Sequence, residues 1–391
     1  MIRTLNQSPT DPAFVQDPYP FYERARALGP FFHWQDYGLT CTGSAAAVGA
    51  ILRDRRFGRE VPEGRRPVIP AHLAPFYAVE AHSMLELEPP RHTRLRGLVL
   101  RAFTSRRIAA LSPDIAALSH ELIDAFPGQP FDLLRAFATR LPVTIIARLL
   151  GVPEERGDDL LAWSNAMVGM YMAGRTRASE DRAVAATEAF VAFMRAYVEE
   201  KRARPADDLI THLIAAEEAG ERLTTDELIT TCILLLNAGH EATVHTIGNG
   251  VKALLAHGDV PTGANAEALV EEVIRWDPPL HLFTRHAYEP VEVMGHTFQP
   301  GDEVGLLLAA ANRDPAMWDE PEAFRPGRAV KPNLSFGAGL HFCVGAPLAR
   351  LELQIALPIL FARCPGLHLT EEPEYGNVYH FHGLKRLMVA T

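Results

Sequence analysis

Cys343 lies in the stretch of this sequence best suited to chemistry, Phe336-Gly337-Ala338-Gly339-Leu340-His341-Phe342-Cys343-Val344-Gly345-Ala346-Pro347. Pro347 suits the first turn of a helix, where the N–H that proline lacks has no partner anyway. A cysteine just before such a start meets unpaired backbone N–H groups and the positive end of the helix dipole, which together favour a thiolate able to ligate a metal. Gly337, Gly339 and Gly345 let the backbone come close to a flat object. A lone cysteine in a long chain is ordinarily a buried apolar residue, so it is the surrounding pattern that singles this one out.

Other groupings are weaker by themselves. Ala238-Gly239-His240-Glu241-Ala242-Thr243 sets an acid and a hydroxyl among small residues. His240-Glu241 suggests a zinc-protease helix, but the next histidine, His245, stands about 140° around the helix, so the two cannot share one metal. Both read as ordinary helix residues, one of them in reach of Glu241. Glu272 and Arg275, three apart, and His92 and Arg96, four apart, each share a helix face. Alone, these pairs and Arg285 are solvated surface charges.

Helices must position most of these groups. Apolar residues recur at helical spacing over 108–126, 141–150, 183–201 and 348–363. One long helix opens with a capping box at Thr224-Thr225-Asp226-Glu227 and runs to about Ala256, before Gly258. It carries Gly239 in its middle at a cost of about 1 kcal/mol relative to Ala, so something must approach the backbone there, a ligand or a closely packed neighbour. Strand-like stretches are short and late, at 291–294, 303–308 and 387–389. The proline-rich segment from Val61 to Pro75 reads as a long ordered loop anchored by Ile69, Leu73, Phe76 and Tyr77. The fold class is mainly α with a minor β region, and the chain reads as a single domain over 1–391.

At this point the sequence resembles the cytochrome P450 family of haem-thiolate monooxygenases, because Phe-Gly-x-Gly-x-His-x-Cys-x-Gly at 336–345 matches its haem-binding loop at every defined position. The resemblance implies the cytochrome P450 fold, haem b as cofactor and Cys343 as the proximal iron ligand. It implies haem contacts at Phe336, Gly337, Gly345 and Ala238, and propionate contacts at His92, Arg96, Arg285 and His341. Glu272, Arg275 and Arg328 resemble the buried ion-pair triad that supports the haem loop. Gly239, Glu241, Ala242 and Thr243 fall in the oxygen-activation segment, with one departure: the family places its threonine directly after the acid, where this chain has Ala242. A displaced hydroxyl serves the same spot only if a π-bulge carries Thr243 back; otherwise an ordered water or a substrate hydroxyl takes its place beside Glu241.

The implied reaction inserts one oxygen atom of O2 into a small apolar organic substrate. The chain shows no flavin or iron–sulfur motif, so the electrons come from outside, through a ferredoxin and an NAD(P)H-dependent ferredoxin reductase. Six arginines, at 91, 94, 96, 101, 106 and 107, stand with no acid among them and suit an acidic ferredoxin. Rival readings are a haem-thiolate peroxygenase, a non-oxygenase rearrangement enzyme and a non-catalytic haem sensor. Residues 69–85, 234, 237, 281–283 and 379–381 are candidates for the substrate pocket wall.

Composition narrows the rest. At 391 residues, 48% apolar and 22% charged, the sequence is neither disordered nor fibrous. A formal net charge of -10 argues against general affinity for nucleic acid or anionic membrane. Its four cysteines lie too far apart for paired zinc ligands or a disulfide framework. The N-terminus shows no export signal, and apolar runs such as 304–311 fall short of a bilayer span; the expectation is a cytoplasmic protein with no membrane segment.

Overall fold

The computed structural model describes residues 2–128, 130–172, 174–218 and 223–391. They form two compact units: Met1–Arg66, Ser119–Ala138 and Val244–Thr391 make the first, Pro67–Leu118 and Thr139–Thr243 the second.

In the first unit, six short strands build one mixed sheet in the order Arg3–Leu5, Phe32–Trp34, Leu39–Thr42, Glu303–Leu307, Leu282–Ala287, Phe57–Gly58. Four of the six come early in the chain, not late as the sequence suggests. The N-terminal four span only two to four residues each, too few for two-residue alternation to stand out. Alternation within Leu282–Ala287 and Glu303–Leu307, paired antiparallel, turns Leu306 and Val304 into an apolar cluster with Val48, Ile51, Phe57 and Phe298. The strands Val291–Val293 and His296–Phe298 form a hairpin whose turn residues, Met294 and Gly295, both have positive φ, 48° and 80°, the backbone twist that two-residue hairpins favour. Helices Ala266–Trp276 and Ala346–Arg363 pack on one another in this unit.

The second unit contains helices Arg91–Ala102, Arg140–Leu150, Gly157–Val168, Arg177–Ala203 and Leu209–Glu218, and the start of the long helix Thr225–His257. The capping box forms as the sequence predicts: the Glu227 amide donates to Thr224 Oγ1 at 3.2 Å, and the Thr224 amide donates to Glu227 Oε2 at 2.9 Å. Arg94 then clamps the same carboxylate through two bonds, 3.1 and 2.5 Å. The helix expected over 108–126 is broken into Ser105–Ala110 and Ser112–Asp124, with Pro113 in the first turn of the second piece, where its missing N–H is tolerated. In the proline-rich loop Leu73 and Phe76 are buried as anchors, but Ile69 is exposed. Pro67 and Pro70 keep that part of the loop out of helix, whereas the two anchors lie on helical turns at Ala71–Leu73 and Ala74–Glu80.

Gly239 is explained by packing. A Cβ there would lie 2.7 Å from Cγ1 of Ile146, on the Arg140–Leu150 helix. Gly239→Ala is expected to destabilise the protein by about 1–3 kcal/mol through overpacking, and adding Ile146→Val is expected to restore at least half of that. Denaturant midpoints of the single and double variants check this; equal losses in both would mean that Ile146 is not what the glycine accommodates.

Candidate functional site

The Cys343 loop takes its shape from its own backbone. The Cys343 amide donates to the Phe336 carbonyl at 3.0 Å, and the Gly337 amide to the Leu334 carbonyl at 2.9 Å. Gly337 and Gly339 adopt φ of 68° and 69°, a left-handed conformation that side chains resist. A Cβ on Gly339 would stand 2.2 Å from the Leu52 carbonyl oxygen, so what approaches this glycine is another backbone segment. Gly345 caps the Ala346–Arg363 helix, with Pro347 in its first turn, and Cys343 precedes the cap.

Burial separates Cys343 from the other three thiols. Cys41, Cys232 and Cys364 are buried, and Cys343 is only half-buried. Burial pushes the Cys41 and Cys232 thiols up to about 12 and raises that of Cys364, so these three stay protonated. Cys343 alone combines an open position with a helix start.

A buried ion-pair group braces this loop. Arg275 grips Glu272 through Nε and Nη2, both at 2.8 Å, and the Arg328 Nε lies 3.4 Å from the same carboxylate. Arg275 also donates to the carbonyls of Asn312, Pro321 and Ala323. The Asn312 side chain, in turn, donates to Ser335 Oγ at 2.7 Å and accepts from the Leu334 amide at 2.8 Å, next to the cysteine loop. Glu271 holds Arg350 by two bonds, and the Arg350 guanidinium lies 4.6 Å from the centre of the Phe336 ring. Arg285 is buried on the Leu282–Ala287 strand, its Nη1 donating to the Thr284 carbonyl at 2.7 Å; His341 is half-buried on the turn Gly339–His341. The first unit thus brings together the thiol, the triad, Arg285 and His341.

The second unit holds the remaining predicted residues. His92 is buried and Arg96 half-buried, one turn apart on Arg91–Ala102. On the long helix Ala238 is exposed, and Leu234, Glu241 and Ala242 are half-buried, whereas Leu235, Leu236, His240 and Thr243 are buried. These four residues, at i, i+4, i+7 and i+8, share a less covered stripe in the middle of the helix, with small side chains at Ala238 and Ala242. His240 donates through Nδ1–H to the Leu236 carbonyl, 2.8 Å away, and its Nε2 lies 3.6 Å from Glu241 Oε2.

Thr243 does not share that stripe. Residues Thr225–His257 form an unbroken α-helix with no π-bulge, so Thr243 is rotated about 100° from Ala242. It is buried on another face, and the bond from its hydroxyl to the Gly239 carbonyl, a common habit of threonine in helices, is not formed among the described residues.

Two features escaped the sequence. His281 and Tyr379, expected at a pocket wall, are buried in a polar network, with Tyr22 Oη 2.7 Å from His281 Nδ1 and 2.8 Å from Tyr379 Oη. Glu352 is buried on the Ala346–Arg363 helix with neither carboxylate oxygen hydrogen-bonded. Its place between Leu351 and Leu353 was the only available signal.

Matches to known proteins agree with this architecture. The family profile described as Cytochrome P450 matches residues 264–366, which include both the triad and the cysteine loop. Cytochrome P450 monooxygenase PikC of Streptomyces venezuelae is 38% identical over 92% of this chain and 87% of its own. Vitamin D(3) 25-hydroxylase of Pseudonocardia autotrophica is 37% identical over 95% of this chain and 93% of its own. The crystal structure of P450BioI in complex with an acyl carrier protein ligated to hexadec-9Z-enoic acid superposes with a TM-score of 0.91, at 33% identity, over 97% of this chain and 99% of that one. Fold and site define a haem-thiolate oxidoreductase. The chain belongs to the cytochrome P450 family, and with it come haem b and monooxygenase activity. Among the described residues, no helix is long and apolar enough to cross a membrane.

Burial raises the Glu352 carboxyl to about 8. The fold therefore favours its neutral form, so this residue's contribution is fully present below the ordinary carboxylate range and is lost as the pH rises towards 8. Relative to Glu352→Gln, the wild-type protein should lose about 3 kcal/mol of stability between pH 5 and pH 8.5. Denaturant melts of both proteins across that range measure the difference; parallel pH profiles would show that Glu352 ionises freely.

Proposed function

We propose that Cys343 is the axial thiolate through which this monooxygenase holds haem b, with Arg285, His341, His92 and Arg96 binding the propionates. The observation that carries this reading is that Cys343 is the one cysteine left unburied, in a glycine-shaped loop at a helix start. Phe336, Gly337, Gly345 and Ala238 border the ring; exposure of Ala238 in mid-helix supports its place there. Arg285 and His92, buried cations or donors, suit carboxylates that must be paired when taken out of water. Haem, when bound, supplies the iron at which O2 is reduced and one oxygen atom passes to the substrate. The Glu272–Arg275–Arg328 group acts by holding the loop rather than by touching substrate.

Glu241 is the proton-handling group, its carboxylate beside His240 and on the less covered stripe. Ala242 gives that stripe no hydroxyl, so an ordered water or a substrate hydroxyl serves in its place. The substrate is a small apolar organic molecule, a reading favoured by relatives named as a vitamin D(3) hydroxylase and a mycinamicin hydroxylase/epoxidase. Electrons arrive from a ferredoxin and its NAD(P)H-dependent reductase in the cytoplasm. Arg91, Arg101 and Arg106 are exposed and supply the docking charges, whereas Arg94 and Arg107 pair with Glu227 and Asp207. A peroxide-driven variant of the chemistry draws support from Ala242, but retention of Glu241 favours the monooxygenase cycle.

The reduced carbon monoxide complex of the wild-type protein should show the red-shifted Soret band of thiolate ligation, and Cys343→Ser should lose it, whereas Cys41→Ser, Cys232→Ser and Cys364→Ser keep it. A thiolate spectrum in Cys343→Ser would overturn the assignment. With reductase and ferredoxin supplied, Thr243→Ala should pass nearly the wild-type fraction of NADH electrons to product, and Glu241→Ala should slow turnover about a hundredfold. Diversion of those electrons to hydrogen peroxide in Thr243→Ala would return the role to the threonine.

A further inference from the structure

Apart from the residues assigned to haem, the first unit contains a buried carboxylate with two histidines around it. Asp277 follows the Ala266–Trp276 helix, His281 precedes the Leu282–Ala287 strand, and His382 comes from the C-terminal segment. All three are buried, and one ligand atom from each lies within 4.8 Å of the others.

The Asp277 carboxylate receives Tyr19 Oη at 2.8 Å and Tyr375 Oη at 2.5 Å, and the His382 Nε2 stands 3.5 Å from its Oδ1. No lysine or arginine forms an ion pair with it among the described residues. Arg313 packs on the Tyr19 ring, but its N–H groups go to the Trp276 carbonyl and to Glu322. Lys252 sits 4.2 Å from the centre of the Tyr375 ring. Two neutral phenols are thin compensation for a fully desolvated anion.

On these two histidines and the neighbouring Asn249, three polar atoms are buried with no hydrogen bond, His281 Nε2, His382 Nδ1 and Asn249 Oδ1, and of the two His382 nitrogens it is Nε2 that faces the carboxylate. The opposite end of each group is committed or directed nearby, His281 Nδ1 to Tyr22 Oη and Asn249 Nδ2 to the carbonyls of Asp277 and His382. A buried carboxylate with no cationic partner among the described residues, set beside two imidazoles, is a donor set that a divalent cation would satisfy.

We propose that Asp277, His281 and His382 bind one divalent cation, with zinc the best match. Two imidazoles and one carboxylate are a common zinc donor set, and zinc accepts a water as its fourth ligand. Iron also uses two histidines and a carboxylate, but where open positions serve chemistry; this cluster is sealed, so its ion is structural. It ties the end of the Ala266–Trp276 helix to the C-terminal segment, which is remote in sequence. The positive charge of Arg313 opposes the ion, and Glu322, 3.0 Å from its Nη1, offsets that.

The test uses the holoenzyme, stripped with a chelator, exposed to zinc chloride and desalted. Expected are one zinc per chain in addition to haem iron, by atomic emission, and a thermal midpoint about 5 °C above the stripped protein. His382→Gln, checked for an unchanged haem spectrum, should retain less than a tenth of that zinc and show no shift. Should that variant fail to accumulate, X-ray absorption at the zinc edge of the wild-type protein decides, with two imidazoles and an oxygen at about 2.0–2.2 Å expected. Wild-type protein without bound zinc and with an unmoved midpoint, zinc retained by His382→Gln, or a zinc shell lacking two imidazoles would each overturn the site in favour of buried water.

Discussion

The cysteine loop depends on one buried carboxylate. Glu272 binds Arg275 through two bonds and lies beside Arg328, in a place where an uncompensated charge would cost several kcal/mol. Once paired, Arg275 has N–H groups to spare, and these collect the carbonyls of Asn312, Pro321 and Ala323. A segment with little regular structure is thereby fixed from within, and Asn312 passes that order on to Leu334 and Ser335. The Cys343 loop is tied through these bonds to a buried electrostatic knot. Because each member leaves the others buried and charged, the group behaves as a unit.

The long helix illustrates how one regular element can divide labour by face. One stripe, through Leu234, Ala238, Glu241 and Ala242, is less covered, whereas Leu235, Leu236, His240 and Thr243 are buried. Regularity has a consequence for chemistry: with no bulge in the helix, a hydroxyl one residue late is a hydroxyl on the wrong side.

What the sequence makes legible follows from how local each signal is. The capping box, the proline-started helix and the triad spacing are encoded within a few residues, and each is found where the pattern places it. The early strands were not legible, because strands of two to four residues carry no period, and two of them join the sheet through partners hundreds of residues away, as Cys41 pairs with Gly305 and Phe57 with Ala287. Gly239 was visible as an anomaly, but its cause, the side chain of Ile146, belongs to another helix. The cluster of Asp277, His281 and His382 was invisible for the same reason: its members are ordinary singly and distinctive only when the fold brings them together. Family likeness pointed to the Cys343 loop, yet said nothing about why Glu352 lies buried without a partner.

The six-stranded sheet ends at both borders in very short strands, Arg3–Leu5 on one side and Phe57–Gly58 on the other. An open border offers unpaired amides and carbonyls to any extended peptide, and the danger grows with its length. Here one border presents three residues, one of them an arginine, and the other presents two, one of them a glycine. Neither is long enough to template a seven-residue cross-β segment, the usual minimum for fibril growth at about six or seven residues. Brevity thus limits what either border of the small sheet can offer to another strand.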